Sequence, residues 1–142
     1  MDTQEKIQGI DLVLDEQETD LLIAIEAFLV DKRSQNISPG TLEFYKKKLT
    51  GFVKYCDVRA IKRVTQITPN DIRQFIFYLE DNGHNPGGCH AYYRTIKTFL
   101  NWWEAEIEDD AWKNPIKKTR PPKLSIEPLD PLKIEVAQAM LN

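Results

Sequence analysis

The sequence predicts an all-α fold. Apolar residues recur at three- and four-residue steps in four separate stretches, the signature of helices with one buried face. Each stretch is bounded by helix-starting or helix-stopping residues. Nowhere does the chain alternate apolar and polar residues as a half-buried strand would, and it holds no internal repeat.

The first helix is expected over 19–35. Thr19 or Asp20 caps it, Leu21, Leu22, Ile25, Phe28 and Leu29 form its stripe, and Gln35–Asn36 end it. Ser38–Pro39–Gly40–Thr41 reads as a turn leading into a second helix over 41–57, with Leu42, Tyr45, Leu49, Phe52, Val53 and Cys56 at helical spacing. Thr68 is a good N-cap, Pro69 suits the first helical position and Asp71 complements the helix dipole, so a third helix follows over 69–82. It carries Ile72, Phe75, Ile76 and Leu79 inward and stops at Asn82–Gly83. Asn85–Pro86–Gly87–Gly88 opens a fourth over 87–107. Its stripe is Tyr92 (or Ala91), Ile96, Phe99, Leu100 and Trp103, and His90, Tyr93, Arg94, Lys97 and Asn101 fall largely on the other side. Because Trp102 and Trp103 are adjacent, one of them is expected to point away from the core. The expected core is Leu49, Phe52, Phe75, Leu79, Ile96, Phe99 and Leu100.

Flanking segments have a different character. Residues 1–18 are an acidic leader, expected to be mobile, with one short apolar patch at Ile10, Leu12, Val13 and Leu14. Asn114–Pro115 closes the helical part. Residues 116–128 then read as an extended basic linker, because each proline also pushes its predecessor out of the helical region. Residues 129–142 read as the first helix of a further, truncated domain.

The net charge of −3 hides an asymmetry. Lys and Arg number three against nine Asp and Glu in residues 1–37, fifteen against ten in 38–123, and one against three in 124–142. A basic middle inside an acidic chain points toward an anionic partner. No apolar run approaches the roughly 20 residues of a membrane span, and residues 1–9 lack the apolar core of a signal peptide. Cys56 and Cys89 have neither CxxC spacing nor a partner cluster, so they read as core fillers in a cytoplasmic protein with no metal and no cofactor.

Several motifs stand in a telling order: Ser38-x-x-Thr41-x-x-x-Tyr45-x-x-x-Leu49-x-x-Phe52, then Ile67–Thr68–Pro69–Asn70–Asp71–Ile72, then Tyr93 through Trp102, then Asn114–Pro115 and the basic linker, then Leu129–Asp130–Pro131 through Asn142. Over residues 19–142 this set resembles the core-binding domain of tyrosine recombinases, the phage-integrase family, followed by the start of the catalytic domain. The resemblance implies a compact four-to-five-helix orthogonal bundle (SAM-like) over 19–115. It implies a chain that clamps one face of a recombination-site duplex. Its partners would be double-stranded DNA, its own catalytic domain and other recombinase protomers, with no membrane role. The family's tyrosine nucleophile and its Arg, Lys and His partners belong to the catalytic domain. Tyr45, Tyr55, Tyr78, Tyr92 and Tyr93 match none of those positions, so this chain alone is expected to bind DNA and not to cut it.

Carried over by position, the DNA-facing candidates are Ser38, Thr41, Lys46 and Lys48 near the second helix and His90, Tyr93, Arg94 and Lys97 on the fourth. Lys117, Lys118, Arg120 and Lys123 join them from the linker, which has to cross the duplex backbone. Such a surface needs cations for phosphates and polar groups for base edges. Arg94 suits either a guanine or a phosphate, and Tyr93 suits either DNA or the edge of the core. The competing reading is a helical protein-interaction or regulatory domain without a nucleic-acid role.

Overall fold

The computed structural model describes residues 19–124. They form four helices, α1 (Asp20–Ser34), α2 (Pro39–Val58), α3 (Pro69–Asp81) and α4 (Pro86–Ile107), with short 3-10 turns at Val64–Gln66 and Pro115–Lys118. Among the described residues there is no strand. The acidic leader and the helix expected over 129–142 lie outside the described residues.

Every helix starts on a side-chain cap. Thr19 Oγ1 accepts from the Leu22 N–H at 3.1 Å, and Ser38 Oγ accepts from the Thr41 N–H at 3.1 Å. Asn85 Oδ1 accepts from the Gly88 N–H at 2.7 Å. At α3 the cap is reciprocal: Thr68 Oγ1 accepts from the Asp71 N–H, and Asp71 Oδ2 accepts from the Thr68 N–H at 2.8 Å. A proline at the first helical position of α2, α3 and α4 has no N–H to leave unsatisfied. Ser38 as cap puts Pro39, Gly40 and Thr41 inside the first turn of α2, two residues earlier than its periodicity suggests.

The core is built around four enclosed phenylalanines, Phe28, Phe52, Phe75 and Phe99, one from each helix. Phe28 meets Phe99 edge-on at 5.6 Å between centroids, and Phe52 meets Phe75 edge-on at 5.1 Å. All seven residues expected in the core are buried. Where α2 crosses α4, Gly51 lies under Tyr92; a Cβ there would stand 3.1 Å from a ring carbon, so a side chain would require the ring to move by a few tenths of an ångström.

Three features depart from the sequence reading. First, α4 is enclosed on more sides than one stripe allows: Cys89, Tyr93 and Thr95 are buried together with Ile96, Phe99 and Leu100. Second, the loop between α2 and α3 carries core residues, Val64 and Ile67. Gln66 Oε1 shapes that loop by accepting from the N–H groups of Lys62 and Arg63, and the Lys62 carbonyl accepts from the Leu21 N–H at 2.9 Å. Third, the linker does not begin extended. Pro115 and Ile116 are buried in a 3-10 turn docked on α3 and α4, so the core runs past residue 115.

The tryptophan pair also differs from the expectation of one ring in and one out. Both are half-buried. Trp102 packs edge-on against Phe28, and its indole N–H donates to Asp31 Oδ2 at 3.0 Å, tying α4 to α1. Trp103 Nε1 is buried and has no acceptor among the described residues.

Cys56 and Cys89 are free and buried. Burial pushes both thiols up from their ordinary value, Cys56 further, with Asp71 adding to the effect. Both thiols are therefore expected to react with a disulfide-forming reagent only after unfolding. A Phe99→Ala substitution should cost about 3–5 kcal/mol of unfolding free energy, read from urea titration of wild type and variant.

Candidate nucleic-acid interface

α4 keeps one long face open to solvent. Arg94, Lys97 and Asn101 are exposed and His90 is half-buried. At 100° per residue these four positions fall within an arc of roughly 60°. Among the described residues, neither Arg94 nor Lys97 has a carboxylate within ion-pair distance. Both guanidinium and ammonium are therefore available to an external anion.

The linker is brought alongside this stripe by a set of polar contacts centred on one buried side chain. The Asn114 side chain is the anchor. Its Nδ2 donates to Asn101 Oδ1 at 3.0 Å, to Glu104 Oε1 at 3.0 Å and to the Leu100 carbonyl at 3.4 Å, while its Oδ1 accepts from the Ile116 N–H. Lys117 Nζ pairs with Glu104 Oε1 at 3.2 Å. Five residues beyond Asn114, Thr119 Oγ1 shares a hydrogen bond of 2.7 Å with the Tyr93 hydroxyl. Residues 114–119 thus run back along α4 from Glu104 to Tyr93, antiparallel to the helix. Arg73 of α3 completes the dock by donating from Nη2 to the Lys118 carbonyl at 3.0 Å.

The twelve candidates separate on this framework. Arg94 and Lys97 lie on the open stripe, with His90 at its edge. Lys118, Arg120 and Lys123 are exposed along the linker, whose docked start flanks the stripe. Lys117 is exposed too, but Glu104 already holds its charge. Of the two readings of Tyr93, DNA contact and the edge of the core, the ring takes the second: it is buried, 3 % exposed, which takes it off the candidate DNA-facing set, and its hydroxyl positions the linker. Ser38 and Thr41 are exposed at the start of α2 but bonded to each other, as a capping pair. Lys46 is half-buried; Lys48 holds its ammonium 4.5 Å above the Tyr92 ring and 5.2 Å from Phe44. Lys48 thereby joins α2 to α4 at Tyr92, through rings of the bundle itself.

Sequence reasoning does not find Arg73, Glu104 or Thr119. No local pattern marks them, since each acts across 10 to 45 residues. Asn114–Pro115 is the one legible signal, and by sequence it reads as a helix end and not as an anchor. Hydrogen bonds from Asn114 and Lys117 hold the Glu104 carboxyl below its ordinary value, against a smaller opposing effect of desolvation.

Comparison with known proteins agrees with this architecture. Residues 25–87 match the family model described as phage integrase, N-terminal SAM-like domain. The match runs from α1 through α3 into the first turn of α4, so Arg94, Lys97 and the linker lie beyond it. Comparison with curated proteins and with solved structures gives no match.

Two outcomes follow for the dock. Asn114→Ala should destabilise the fold by roughly 1–3 kcal/mol, because buried partners lose their hydrogen bonds, and should speed amide exchange at residues 115–119. A carboxyl whose folded-state value is lowered stabilises the fold above its ordinary value, 4.5 for Glu104, and that contribution is lost as the pH falls through the lowered one. Protection factors at 115–119, with the intrinsic pH dependence of amide exchange divided out, should therefore stay level from neutral pH down to about 4.5 and fall below it, and Glu104→Gln should abolish that fall.

Proposed function

Because residues 25–87 match the phage integrase N-terminal SAM-like domain, we propose that this chain is the DNA-binding module of a site-specific tyrosine recombinase, gripping one face of the recombination-site duplex. The observation that carries the reading is the open α4 stripe of His90, Arg94, Lys97 and Asn101, flanked by the docked start of the basic linker. A duplex offers a regular array of phosphates, and unpaired cations at helical spacing beside a second basic strand suit that array. Arg94 and Lys97 supply the first contacts; Lys118, Arg120 and Lys123 extend them along the backbone. Lys117 joins when a phosphate replaces Glu104 as its partner. His90 and Asn101 offer hydrogen bonds to base edges or sugar. Tyr93 contributes by holding Thr119, and with it the direction in which the linker leaves.

In this reading the linker leads to a catalytic domain, beginning near Leu129, that closes on the opposite face of the duplex. The tyrosines of this chain serve its packing: Tyr55 and Tyr93 are buried, and burial raises the Tyr55 and Tyr92 phenols above their ordinary value, away from phenolate chemistry at neutral pH. The module by itself binds DNA and leaves it uncut.

Half a clamp binds weakly, with a dissociation constant of about 10⁻⁴–10⁻⁶ M for nonspecific duplex at physiological salt. Arg94→Ala and Lys97→Ala should each weaken binding and flatten the plot of log K against log salt by about 0.9 for every phosphate that is no longer neutralised. Removal of residues 117–142 should weaken it further, and Lys6→Ala should change little. If Arg94 reads a base, its removal relaxes preference at one position; if it holds a phosphate, all sequences weaken alike. Fluorescence-anisotropy titrations at several salt concentrations decide the matter. No binding at low salt, or a Lys6 effect equal to that of Arg94, would overturn the reading in favour of a protein-interaction domain, and a tyrosine-linked DNA adduct would overturn the division of labour.

A further inference from the structure

A second surface feature has no part in that reading. At the C-terminal ends of α2 and α3, where α4 begins, lies a cleft of about 360 Å³. Its wall is a run of rings: Tyr78 lies 5.0 Å from Tyr55, Tyr55 lies 5.0 Å from Phe75, and Phe75 lies 5.6 Å from Tyr92. Val58, 80 % exposed, stands at the rim. Lys54 and Arg59 supply the charge, and the Arg59 guanidinium lies over the Tyr55 ring at 3.9 Å. An apolar floor with cationic edges suits a segment that brings aliphatic side chains flanked by carboxylates.

The chain contains such a segment. Residues 1–18 hold six carboxylates against one lysine, and the apolar patch Ile10, Leu12, Val13 and Leu14 is followed directly by Asp15 and Glu16. The point where this segment joins the fold is also fixed. The Leu21 N–H donates to the Lys62 carbonyl at 2.9 Å, and Lys62 lies three residues beyond Arg59. Three residues span at most roughly 11 Å, whereas Leu14 precedes Leu21 by seven residues, roughly 23–25 Å of extended chain. We propose that the α2–α3–α4 cleft is the docking site of the chain's own acidic leader, with aliphatic residues of 10–14 against the rings and Asp15 and Glu16 facing Lys54 and Arg59.

Photo-crosslinking tests this in the full chain, with a benzophenone amino acid in place of Leu12 and adducts mapped by mass spectrometry at low protein concentration. The expected result is intrachain adducts on the last turns of α2 and α3. They should vanish in Arg59→Glu and in the double variant Asp15→Lys/Glu16→Lys, and return when the two sets of charge reversals are combined. The leader-side variant leaves every residue of 19–124 unchanged, so its effect is independent of any instability in Arg59→Glu. Adducts elsewhere on the chain, adducts between chains that scale with concentration, or yields indifferent to charge reversal would each overturn the proposal. The outcome is independent of DNA binding, which is measured separately.

Discussion

α4 is packed against α1, α2, α3 and the Pro115–Lys118 turn, and the remaining features of the molecule follow from that enclosure. Phe99 meets Phe28 on one side of it, Tyr92 covers Gly51 on another, and Tyr93 receives the linker on a third. Before its last turn, a helix surrounded in this way has one main direction left for exposed polar side chains. His90, Arg94, Lys97 and Asn101 occupy it, which is why the candidate contact residues form a narrow stripe and not a scattered set of charges.

The linker dock shows how a small polar cluster can do what apolar packing cannot. Asn114 offers two donors and an acceptor, and its placement in a buried site between Leu100, Asn101, Glu104 and Ile116 uses all of them. Hydrogen bonds of this kind are directional, so they set the course of the backbone as well as adding stability. The surface ion pair of Lys117 and Glu104 adds little by comparison, because water and salt screen two charges held in the open. Its significance lies in leaving Lys117 held but exchangeable next to a surface suited to anions.

The two exposed features of the fold differ in chemistry. The α4 stripe is polar and cationic, suited to a solvated polyanion. The cleft at the ends of α2 and α3 is aromatic with cations at its rim, suited to a partly apolar segment. Lys48 sits where α2 meets α4, its ammonium over Tyr92, which also lines the cleft. Lys48 therefore belongs as much to the packing of rings as to any external contact.

The sequence by itself determined the four helices, their caps and the inward residues, because these depend on interactions within a few residues: Thr68 with Asp71, Asn85 with Gly88, Phe52 and Phe75 at helical spacing. It also carried the family resemblance, since the motifs that hold it are largely those same caps and stripes. Tertiary structure alone decided what lies around α4. Whether Tyr93 faces solvent or the core depends on a linker that returns to it from Thr119, 26 residues away, and periodicity reads one buried face where α4 has several. Val64, Ile67 and Ile116 are buried because distant elements close over them, without any periodic pattern of their own. Asn114 became an anchor by the same cause: its partners on α4 lie 10 to 14 residues back along the chain, and only the folded path brings them within hydrogen-bonding distance.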